Sequence, residues 1–466
     1  MVLESILTTT KAYANQKGIE CNILLEELFA FIGMNLAMGL LHLPQISDYW
    51  STVEIFQTPW FLAIMPRDRF FFILHYLHLV DDREQKKKGE EGYDPLFKVR
   101  PLIDHLSAVF PVYYQPGREL SVDEMMIGTR CRISFLQYMP KKPSKFGIKV
   151  WVNSESKTGY VLSFQVYTGA MSEEANSLTK ALGHRVVMDL KQPFLGKGHK
   201  LFVDKFYTSV PLFLELLDNG TYATGTVVAN HKYLPEGLKA ERNQLQIGSY
   251  RFATSEKMTA CIWRDRRDVL MLTTMHNMSV TTVLKRPKGE RDKRPLSCPT
   301  CIADYNQHMG GVDLMDQQLS YYSLTQRRTL KWWKKVFWHL IDITVVNSWI
   351  IFRSNNPESS IDIQLKYRIE LCRQLVQPLL NLKASPQCPP SLCLQRGRRP
   401  IAVSKRLTGK HFPYRAASRG RCIVCYRKKS SCGKRKDTKT SKFCLKCDVT
   451  LCMGQCFEKY HAHSSY

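Results

Sequence analysis

The stretch Glu119-Leu-Ser-Val-Asp-Glu-Met-Met-Ile-Gly128 reads as a buried strand that carries an acid, Asp123, among apolar residues. Leu120, Val122 and Met125 supply apolar positions, and the run lies between a Pro-Gly pair and a Gly, which is typical of a strand in a sheet. Burying a carboxylate costs several kcal/mol unless it is paired or bound to a metal. Asp123 is therefore either a functional acid or a strand-end residue that accepts a local backbone N–H.

The composition indicates a folded protein with a polyanionic partner. The chain has 466 residues, 44% of them hydrophobic, and a net charge of +26. This length allows about two to four domains with sizeable cores. Residues 396–442 contain 17 Lys and Arg and one acid, which fits either a solvated basic tail or a module that binds nucleic acid or histone tails. The aromatic residues and the cysteines that follow favour the folded module.

The cysteine usage points to a reducing compartment and to zinc. No secretory signal is visible at Met1-Val-Leu-Glu-Ser, and seven of the 15 cysteines lie between Cys422 and Cys456. The longest apolar run, 28–43, is too short to span a bilayer comfortably and predicts a buried helix. We therefore expect no membrane association.

The secondary-structure pattern changes several times along the chain. Residues 1–117 show helical apolar spacing, and strand patterns begin at Leu120. Asn153-Ser-Glu-Ser-Lys-Thr-Gly159 is predicted to join two strands as a hairpin, and strand-helix-strand alternation follows, which predicts a mixed sheet with helices packed on it. Short strands in 230–298 indicate a β-rich insertion, and a long aromatic and basic helical region ends near Arg373.

Three further aspartates have positions that suit metal-dependent chemistry. Asp204 ends the predicted strand 200–204, where open sheets place functional groups, although an aspartate at such a position is more often a turn or cap residue. Asp313 follows Gly310-Gly311 at a predicted helix start, where a plain N-cap is the alternative, and Asp316 lies on the same helix face. Two strand acids and a helix acid are the components of a two-metal phosphoryl-transfer site, in which carboxylates hold a metal pair about 3.5–4 Å apart.

Four sequence strings carry a resemblance to a known family. They are Leu120-Ser-Val-Asp-Glu124, Pro140-Lys-Lys-Pro-Ser-Lys-Phe-Gly-Ile-Lys149, Phe202-Val-Asp-Lys-Phe-Tyr-Thr208 and Tyr305-Asn-Gln-His-Met-Gly-Gly-Val-Asp-Leu-Met-Asp316. In their order and separations they resemble the piggyBac transposase family. The similarity extends from Asp48-Tyr-Trp-Ser51 to the terminal cysteines and is highly specific.

The resemblance implies an α+β multidomain protein built around a ribonuclease-H-like mixed α/β catalytic core. That core is interrupted by a β-rich insertion, is flanked by segments that form a mainly helical dimerisation and DNA-binding domain, and precedes a small zinc-binding domain. The expected boundaries are 1–117 and 323–385 for the helical domain, 118–229 and 299–322 for the catalytic core, 230–298 for the insertion, 386–404 for a basic linker, and 405–466 for the cysteine-rich domain.

The resemblance also implies the chemistry and its residues. Asp123, Asp204 and Asp313 match the catalytic triad that binds two Mg²⁺ or Mn²⁺ ions, and Asp316 matches a further acid. The implied activity is nuclear cut-and-paste transposition by a homodimer on double-stranded DNA: the element end is nicked, a hairpin forms and reopens, and the 3′ ends join a TTAA target. The alternative is a domesticated derivative that binds DNA without cutting it. Family members usually carry a longer acidic leader, so full-length status is open.

Basic and aromatic residues near these motifs are candidates for DNA contacts. Such contacts position a protein on the phosphate backbone, and aromatic rings can stack on displaced bases. The candidates are Lys141, Lys142, Lys145, Lys149, Arg327, Arg328, Lys331, Trp332, Lys334 and Lys335. Trp332, Trp333 and Trp338 also have the helical spacing that is typical of core residues, and the sequence does not show which of the three contacts DNA.

The cysteine-rich end predicts two structural zinc ions. Seven soft ligands fall within 40 residues: Cys422, Cys425, Cys444, Cys447, Cys452, Cys456 and His461. Two tetrahedral sites need eight ligands, and the eighth can be His411, Cys432 or His463; resemblance to the family's terminal domain favours His411. The pairing of ligands, cross-braced or not, stays open. A RING-type ubiquitin ligase or a histone reader is the other class that such a module allows.

The earlier pair Cys298-x-x-Cys301 has no second pair nearby. We therefore expect these two residues to be free thiols rather than zinc ligands.

Overall fold

The computed structural model describes residues 2–169, 180–286, 292–326, 329–361, 363–385, 407, 411–427, 437–444, 447 and 449–463. Backbone contacts divide the chain into two compact units, residues 1–381 and residues 382–466. Each unit has its own buried core. The predicted linker 386–404 lies outside the described residues.

A mixed sheet forms the centre of the larger unit. Its strands are β1 Glu119–Gly128, β2 Gln137–Tyr138, β3 Phe146–Glu155, β4 Val161–Val166, β5 Lys200–Val203, β6 Tyr222–Thr226, β7 Tyr250–Thr254, β8 Thr259–Arg264 and β9 Asp268–Thr273. The spatial order is β3-β1-β5-β6-β9-β8-β7, and β2 and β4 share the other edge of β3. β1 runs antiparallel to β3 and parallel to β5, and β5 runs parallel to β6. Three strands from the predicted insertion, β7 to β9, continue this sheet because β9 pairs with β6.

Helices cover the sheet and form a separate helical part of the same unit. They are α1 Val2–Gln16, α2 Leu25–Leu40, α3 Pro59–Ile64, α4 Arg67–Tyr76, α5 Arg100–Tyr113, α6 Leu182–Lys191, α7 Val210–Asp218, α8 Glu236–Ala240, α9 Thr300–His308, α10 Gly311–Ser320, α11 Trp332–Asn355 and α12 Gln364–Ala384. The segments before β1 and after α10 meet, since the rings of Phe31, Phe70 and Trp338 pack together.

Helices α6 and α10 lie on opposite faces of the sheet. On one face the Ser163 hydroxyl donates to the Leu190 carbonyl of α6 at 2.7 Å. On the other face α10 begins directly over Ser121 and Ser154. Because Ser163 pairs with Asn153, the neighbour of Ser154, the alternation of side chains along a strand separates the two helices. Asp123 shares the face of Ser121, so it lies on the α10 side.

A buried ion pair joins the helical part to the segment that follows α10. The Arg368 guanidinium lies 3.3 Å from Asp342 Oδ1, and both side chains are almost fully excluded from solvent. The Leu324 N–H donates to the second oxygen of Asp342 at 2.7 Å, and Arg368 also donates to the Tyr322 carbonyl. Burial raises the pKa of Asp342 to about 7, while the Arg368 charge acts in the opposite direction. The exit of α10 is thereby tied to α11 and α12.

Helix α11 is the one described helix that is long and apolar enough to cross a bilayer. Its buried residues include Val336, Ile343 and Val346, and they face the interior of the larger unit. This burial is typical of the core helix of a globular domain.

A hairpin of β10 Val280–Lys285 and β11 Arg294–Pro299 precedes α9. The thiols of Cys298 and Cys301 are buried and free, and Cys301 Sγ lies 3.5 Å from Cys261 Sγ of β8. These cysteines pack with Trp263 in a small core that joins α9 to the sheet.

The smaller unit is built from β12 Pro413–Arg421, β13 Lys439–Cys444, β14 Val449–Thr450, α13 Ile423–Arg427 and α14 Gln455–Ala462. The three strands form one antiparallel sheet. Its core combines Val424, Val449, Leu451 and Tyr460 with the cysteines.

We expect Gly311→Ala to displace α10 from the sheet. A Cβ at this position would lie 2.5 Å from Ser121 Oγ and 2.9 Å from the Glu155 carbonyl oxygen, and the carbonyl cannot move without disturbing β3. Overpacking of this kind lowers the free energy of unfolding by about 1–3 kcal/mol, which urea denaturation measures. Gly310→Ala is the matched control, because nothing lies within 4 Å of its added methyl group. Equal losses in the two variants would contradict the contact.

Candidate functional site

The pairing of β1 with β5 brings Asp123 and Asp204 to one place. The parallel register aligns Val122 with Val203, and the two aspartates are the next residue of each strand. Each carboxylate is held by a nearby backbone donor: Asp123 Oδ1 accepts from the Glu124 N–H, and Asp204 Oδ1 accepts from the Phe206 N–H, both at 2.8 Å. The two predicted strand acids are therefore neighbours on the face that α10 covers.

A third carboxylate, Glu124, lies close to both. Burial, together with the Glu124 charge, raises the pKa of Asp123 to about 8, although the Glu124 N–H and the Lys142 charge act to lower it. Burial also raises the pKa of Asp204, opposed by the Phe206 N–H, and Glu124 again adds to the rise. Glu124 is not predicted from the sequence, because alternation in a strand places neighbours on opposite faces.

Helix α10 supplies the other two acids. Asp313 is exposed in the first turn, and Asp316 follows one turn later. Burial raises the pKa of Asp316 to about 6, and the charge of Lys142, whose Nζ lies 3.9 Å from Asp316 Oδ2, opposes this rise. Lys142 also donates to the Glu124 carbonyl at 2.7 Å, so it links Asp316 to the acids of β1.

Asp313 is placed less directly than the others. Helix α10 packs on β1 and β3, which brings its first turn to the same face of the sheet as Asp123 and Asp204. Among the residues that the structure describes, no hydrogen bond or ion pair joins Asp313 to Asp123 or Asp204. Its role as a metal ligand stays a prediction.

Two buried phenols adjoin the acids. Burial raises the pKa of Tyr207 far above its usual value, and Glu124, Asp123 and Asp204 add to the rise. Burial likewise raises the pKa of Tyr305 to about 12, and the charges of Asp204 and Asp123 contribute. Both phenols therefore stay protonated at neutral pH. The Tyr207 hydroxyl has no hydrogen-bond partner among the described residues, so a donor is available beside the carboxylates.

The donor set fits a hard divalent cation. It consists of carboxylate oxygens that are partly buried and repel one another, which is the ligand chemistry that Mg²⁺ and Mn²⁺ prefer. A cation of charge +2 would stabilise the ionised form of each acid. Asp123, Asp204 and Asp316 can contribute to such a site, and Glu124 lies within reach of the first two.

The predicted DNA contacts occupy different environments. Lys141 and Lys145 are exposed in the turn between β2 and β3, and the Lys149 ammonium lies over the Phe206 ring at 4.9 Å. Lys331 is exposed just before α11, and Trp332 packs edge-on against Phe135. Arg327 and Arg328 lie outside the described residues.

Lys334 and Lys335 are mostly buried. Their ammonium groups donate to the carbonyl oxygens of Leu74 and Thr325, and burial lowers the pKa of Lys334 to about 8. A DNA contact by either lysine stays a prediction, and it requires the ammonium to leave its carbonyl. Trp333 and Trp338 are core residues.

A basic cleft of about 1560 Å³ begins beside Asp316. Arg130, Arg132 and Lys145 line it together with several hydroxyl groups. The two arginines were not predicted, because their exposure beside the acids depends on how the segment after β1 folds. Cations and hydroxyl donors in a cleft are typical of contacts to phosphate groups.

The smaller unit brings together two sets of four metal-ligand atoms. One set is His411, Cys444, Cys447 and His461, and the other is Cys422, Cys425, Cys452 and Cys456. Within each set the ligand atoms all lie within 4.8 Å of one another, which suits a tetrahedral ion such as zinc. His411 is part of the first set, whereas Cys432 lies outside the described residues. The two sets alternate along the chain, so the arrangement is cross-braced.

The chain is similar to known proteins over most of its length. A family model described as Transposase IS4 matches residues 1–349. The chain is 25% identical to human PiggyBac transposable element-derived protein 3 over 468 residues, which cover 99% of the chain and 74% of the relative. It is 26% identical to human PiggyBac transposable element-derived protein 2 over 431 residues, which cover 90% of the chain and 69% of that relative.

The fold is similar to a cryo-EM structure of a piggyBac transposase synaptic complex with hairpin DNA. The TM-score is 0.70 at 22% sequence identity, and the alignment covers 98% of this chain and 94% of that one. At this identity the similarity concerns the fold.

We expect the full chain to bind two zinc ions, one in each ligand set. His411→Ala and Cys425→Ser should each reduce the zinc content to one ion per chain, and the double variant should bind none, because the two residues belong to separate sets. Elemental analysis of the purified protein gives the stoichiometry. Cys21→Ser is the control, since this cysteine lies outside both sets, and it should retain two ions. A single variant that keeps two ions would contradict the assignment.

The raised pKa of Asp123 predicts a pH-dependent metal affinity. A proton must leave this carboxyl group when a cation binds, so the apparent Mn²⁺ affinity should rise up to tenfold per unit to about pH 8 and then level off. Glu124→Gln removes a charge that raises this pKa, so its plateau should begin at a lower pH. Titration calorimetry of the DNA-free protein measures both curves.

Glu119→Gln is the matched control for this titration, because Glu119 lies on the same strand and pairs instead with Lys200. Its plateau should coincide with that of the wild type. A plateau that Glu124→Gln leaves unmoved would show that Glu124 does not act on Asp123.

Proposed function

Because the chain belongs to the piggyBac-type transposase family, we propose that it performs cut-and-paste DNA transposition by metal-dependent phosphoryl transfer. The observation that carries this proposal is the adjacency of Asp123 and Asp204, which a single parallel register sets side by side on the α10 face. Among the described residues neither acid forms a side-chain ion pair: their hydrogen bonds come from backbone N–H groups, a third acid lies nearby, and Lys142 and Lys149 act on them only through their charge.

The strand order supports a ribonuclease-H-like core. Strands β4, β3 and β1 are antiparallel neighbours, and β5 and β6 continue in parallel with β1. Helices on both faces cover the sheet. In such a core the acids come from the first strand, from the end of the next parallel strand and from a late helix, which correspond here to Asp123, Asp204 and α10.

Two Mg²⁺ or Mn²⁺ ions would be held by Asp123, Asp204 and Asp313, with Asp316 beside them. When bound, the ions supply Lewis-acid stabilisation of the attacking and leaving oxygens and a nucleophile at neutral pH. The chain itself aligns Asp123 and Asp204 through the N–H groups of Glu124 and Phe206. Tyr207 contributes a buried, protonated hydroxyl beside the carboxylates, which can donate a hydrogen bond within the cluster.

The same acids serve each step of the proposed reaction. They activate water to nick the element end, then the freed 3′ hydroxyl to form a hairpin, then water to reopen it, and last the 3′ ends to join a TTAA target. All of these are in-line displacements at phosphorus, so one metal-binding geometry suffices. We place the reaction in the nucleus, carried out by a homodimer on double-stranded DNA.

The basic surfaces are proposed to hold the DNA. Arg130, Arg132 and Lys145 line a cleft that begins at Asp316, and Lys141 is exposed nearby, so phosphate contacts there would guide a strand to the acids. The smaller unit, folded around two zinc ions, adds further basic surface on β12 and β13. Its proposed task is recognition of the element end.

A second candidate function is DNA binding without cleavage. The human relatives are named as transposable element-derived proteins, which favours a domesticated role for proteins of this type. This candidate predicts that the protein binds element-end duplexes with a strong dependence on salt but leaves them uncut.

We expect the wild type to nick linear duplexes that end in the inverted repeats flanking its gene, in the presence of Mg²⁺. Asp204→Asn should cut at less than about 1% of the wild-type rate, because it removes a charged metal ligand next to Asp123. Denaturing gels of end-labelled DNA measure nicking and hairpin formation, and fluorescence anisotropy shows that binding is retained.

Asp218→Asn serves as the matched control, since this exposed aspartate on α7 pairs with Lys257 on the surface, and it should cut like the wild type. Full activity of Asp204→Asn would refute the proposed site. Binding without any cleavage by the wild type would support the second candidate.

A further inference from the structure

Lys142 has an unusual position for a surface lysine of a basic protein. It lies in the turn between β2 and β3, yet its side chain is only 18% exposed. Its ammonium donates to the Glu124 carbonyl at 2.7 Å and lies 3.9 Å from Asp316 Oδ2. The side chain thus points inward to the acids, whereas the neighbouring Lys141 and Lys145 are exposed.

The ammonium occupies a place surrounded by oxygen atoms. A carbonyl of β1 and a carboxylate of α10 face it, and its charge also favours the ionised form of Asp123. Hard divalent cations bind through the same kinds of oxygen atoms. The Lys142 ammonium therefore neutralises part of the negative charge that a bound metal ion would otherwise neutralise.

We propose that Lys142 is a positioning residue that acts as the resident counter-cation of the acid cluster and competes with divalent metal ions for it. The inference rests on the proposed function, because it concerns the metal site of the same acids. In the DNA-free protein Lys142 holds β1 and α10 together through Glu124 and Asp316. A divalent ion bound in the acid cluster beside Asp316 repels the ammonium, so part of the metal's binding free energy is used to displace it.

This competition couples metal binding to DNA binding. Lys142 belongs to the same turn as the exposed Lys141 and Lys145, so an ammonium that leaves Asp316 remains where phosphate groups can accept it. DNA phosphates then bind the Lys142 ammonium that competes with the metal ion. A bound metal ion in turn neutralises the acid cluster that holds the ammonium. Each ligand therefore raises the affinity of the other by the same factor.

The test is the Mn²⁺ affinity of the zinc-loaded full chain, measured by electron paramagnetic resonance without DNA. Lys142→Met should bind Mn²⁺ about three to ten times more tightly than the wild type, which is the range expected for removing one partly exposed like charge. Lys142→Arg keeps the charge and should remain within about twofold of the wild type. Lys141→Met removes an exposed charge from the same turn and should also change little.

A second readout separates competition from a purely structural role. Adding an uncleavable element-end duplex should tighten Mn²⁺ binding severalfold in the wild type and less in Lys142→Met. Lys142→Gln retains a hydrogen-bond donor for the Glu124 carbonyl, and it should behave like Lys142→Met if charge is what matters. Lys142→Gln also serves as a second neutral variant if methionine at position 142 disturbs the turn.

The outcomes distinguish this inference from the proposed function. Asp123→Asn identifies the signal that belongs to the acid cluster. Asp123-dependent Mn²⁺ binding that both neutral variants leave unchanged or weaken would overturn the role of Lys142 while the metal site stands. If no variant shows Asp123-dependent binding, both the counter-cation and the metal chemistry of the proposed function fail together.

Discussion

The parallel pairing of β1 with β5 is the constraint on which the rest of the structure depends. It fixes Val122 beside Val203 and thereby sets two carboxylates at adjacent positions inside a protein. Like charges at this spacing are unfavourable in a partly buried place, so the surroundings must supply positive charge. Lys142 beside Asp316 and Lys149 near Asp204 supply part of it, and a metal ion would supply the remainder.

The placement of α10 is the second constraint on the site. Gly311 allows the helix backbone to lie directly on Ser121 and Ser154, and the segment after the helix is tied to α11 and α12 through the Asp342–Arg368 pair. Asp316 is thus held beside Lys142, which also contacts β1, because both ends of α10 are fixed. The helical part supports the site because α11 and α12 fix the segment that follows α10.

Much of this arrangement can be predicted from the sequence where local pattern decides it. The strand around Asp123, the strand that ends at Asp204 and the hairpin between β3 and β4 follow from alternation and turn residues, and the structure has all three. The six cysteine ligands follow from their paired spacing, whereas His411 is favoured over two other candidates only by the resemblance to the family's terminal domain. Glu124 is not predicted, because alternation along β1 assigns it to the face opposite Asp123 and only the three-dimensional structure shows that its charge acts on both acids.

Other features depend on long-range packing and were out of reach for the same reason. The side chains of Lys142, Lys334 and Lys335 point to the interior because carbonyl oxygens from other segments of the chain accept their hydrogen bonds there. The continuation of the central sheet into β9 depends on a partner strand more than 40 residues away. The alternating order of the two Cys/His sets has a consequence for biosynthesis: while the ribosome is still adding residues before Cys456, neither tetrahedron has its full complement of ligands. The smaller unit must therefore wait for nearly its whole length to emerge before it can fold.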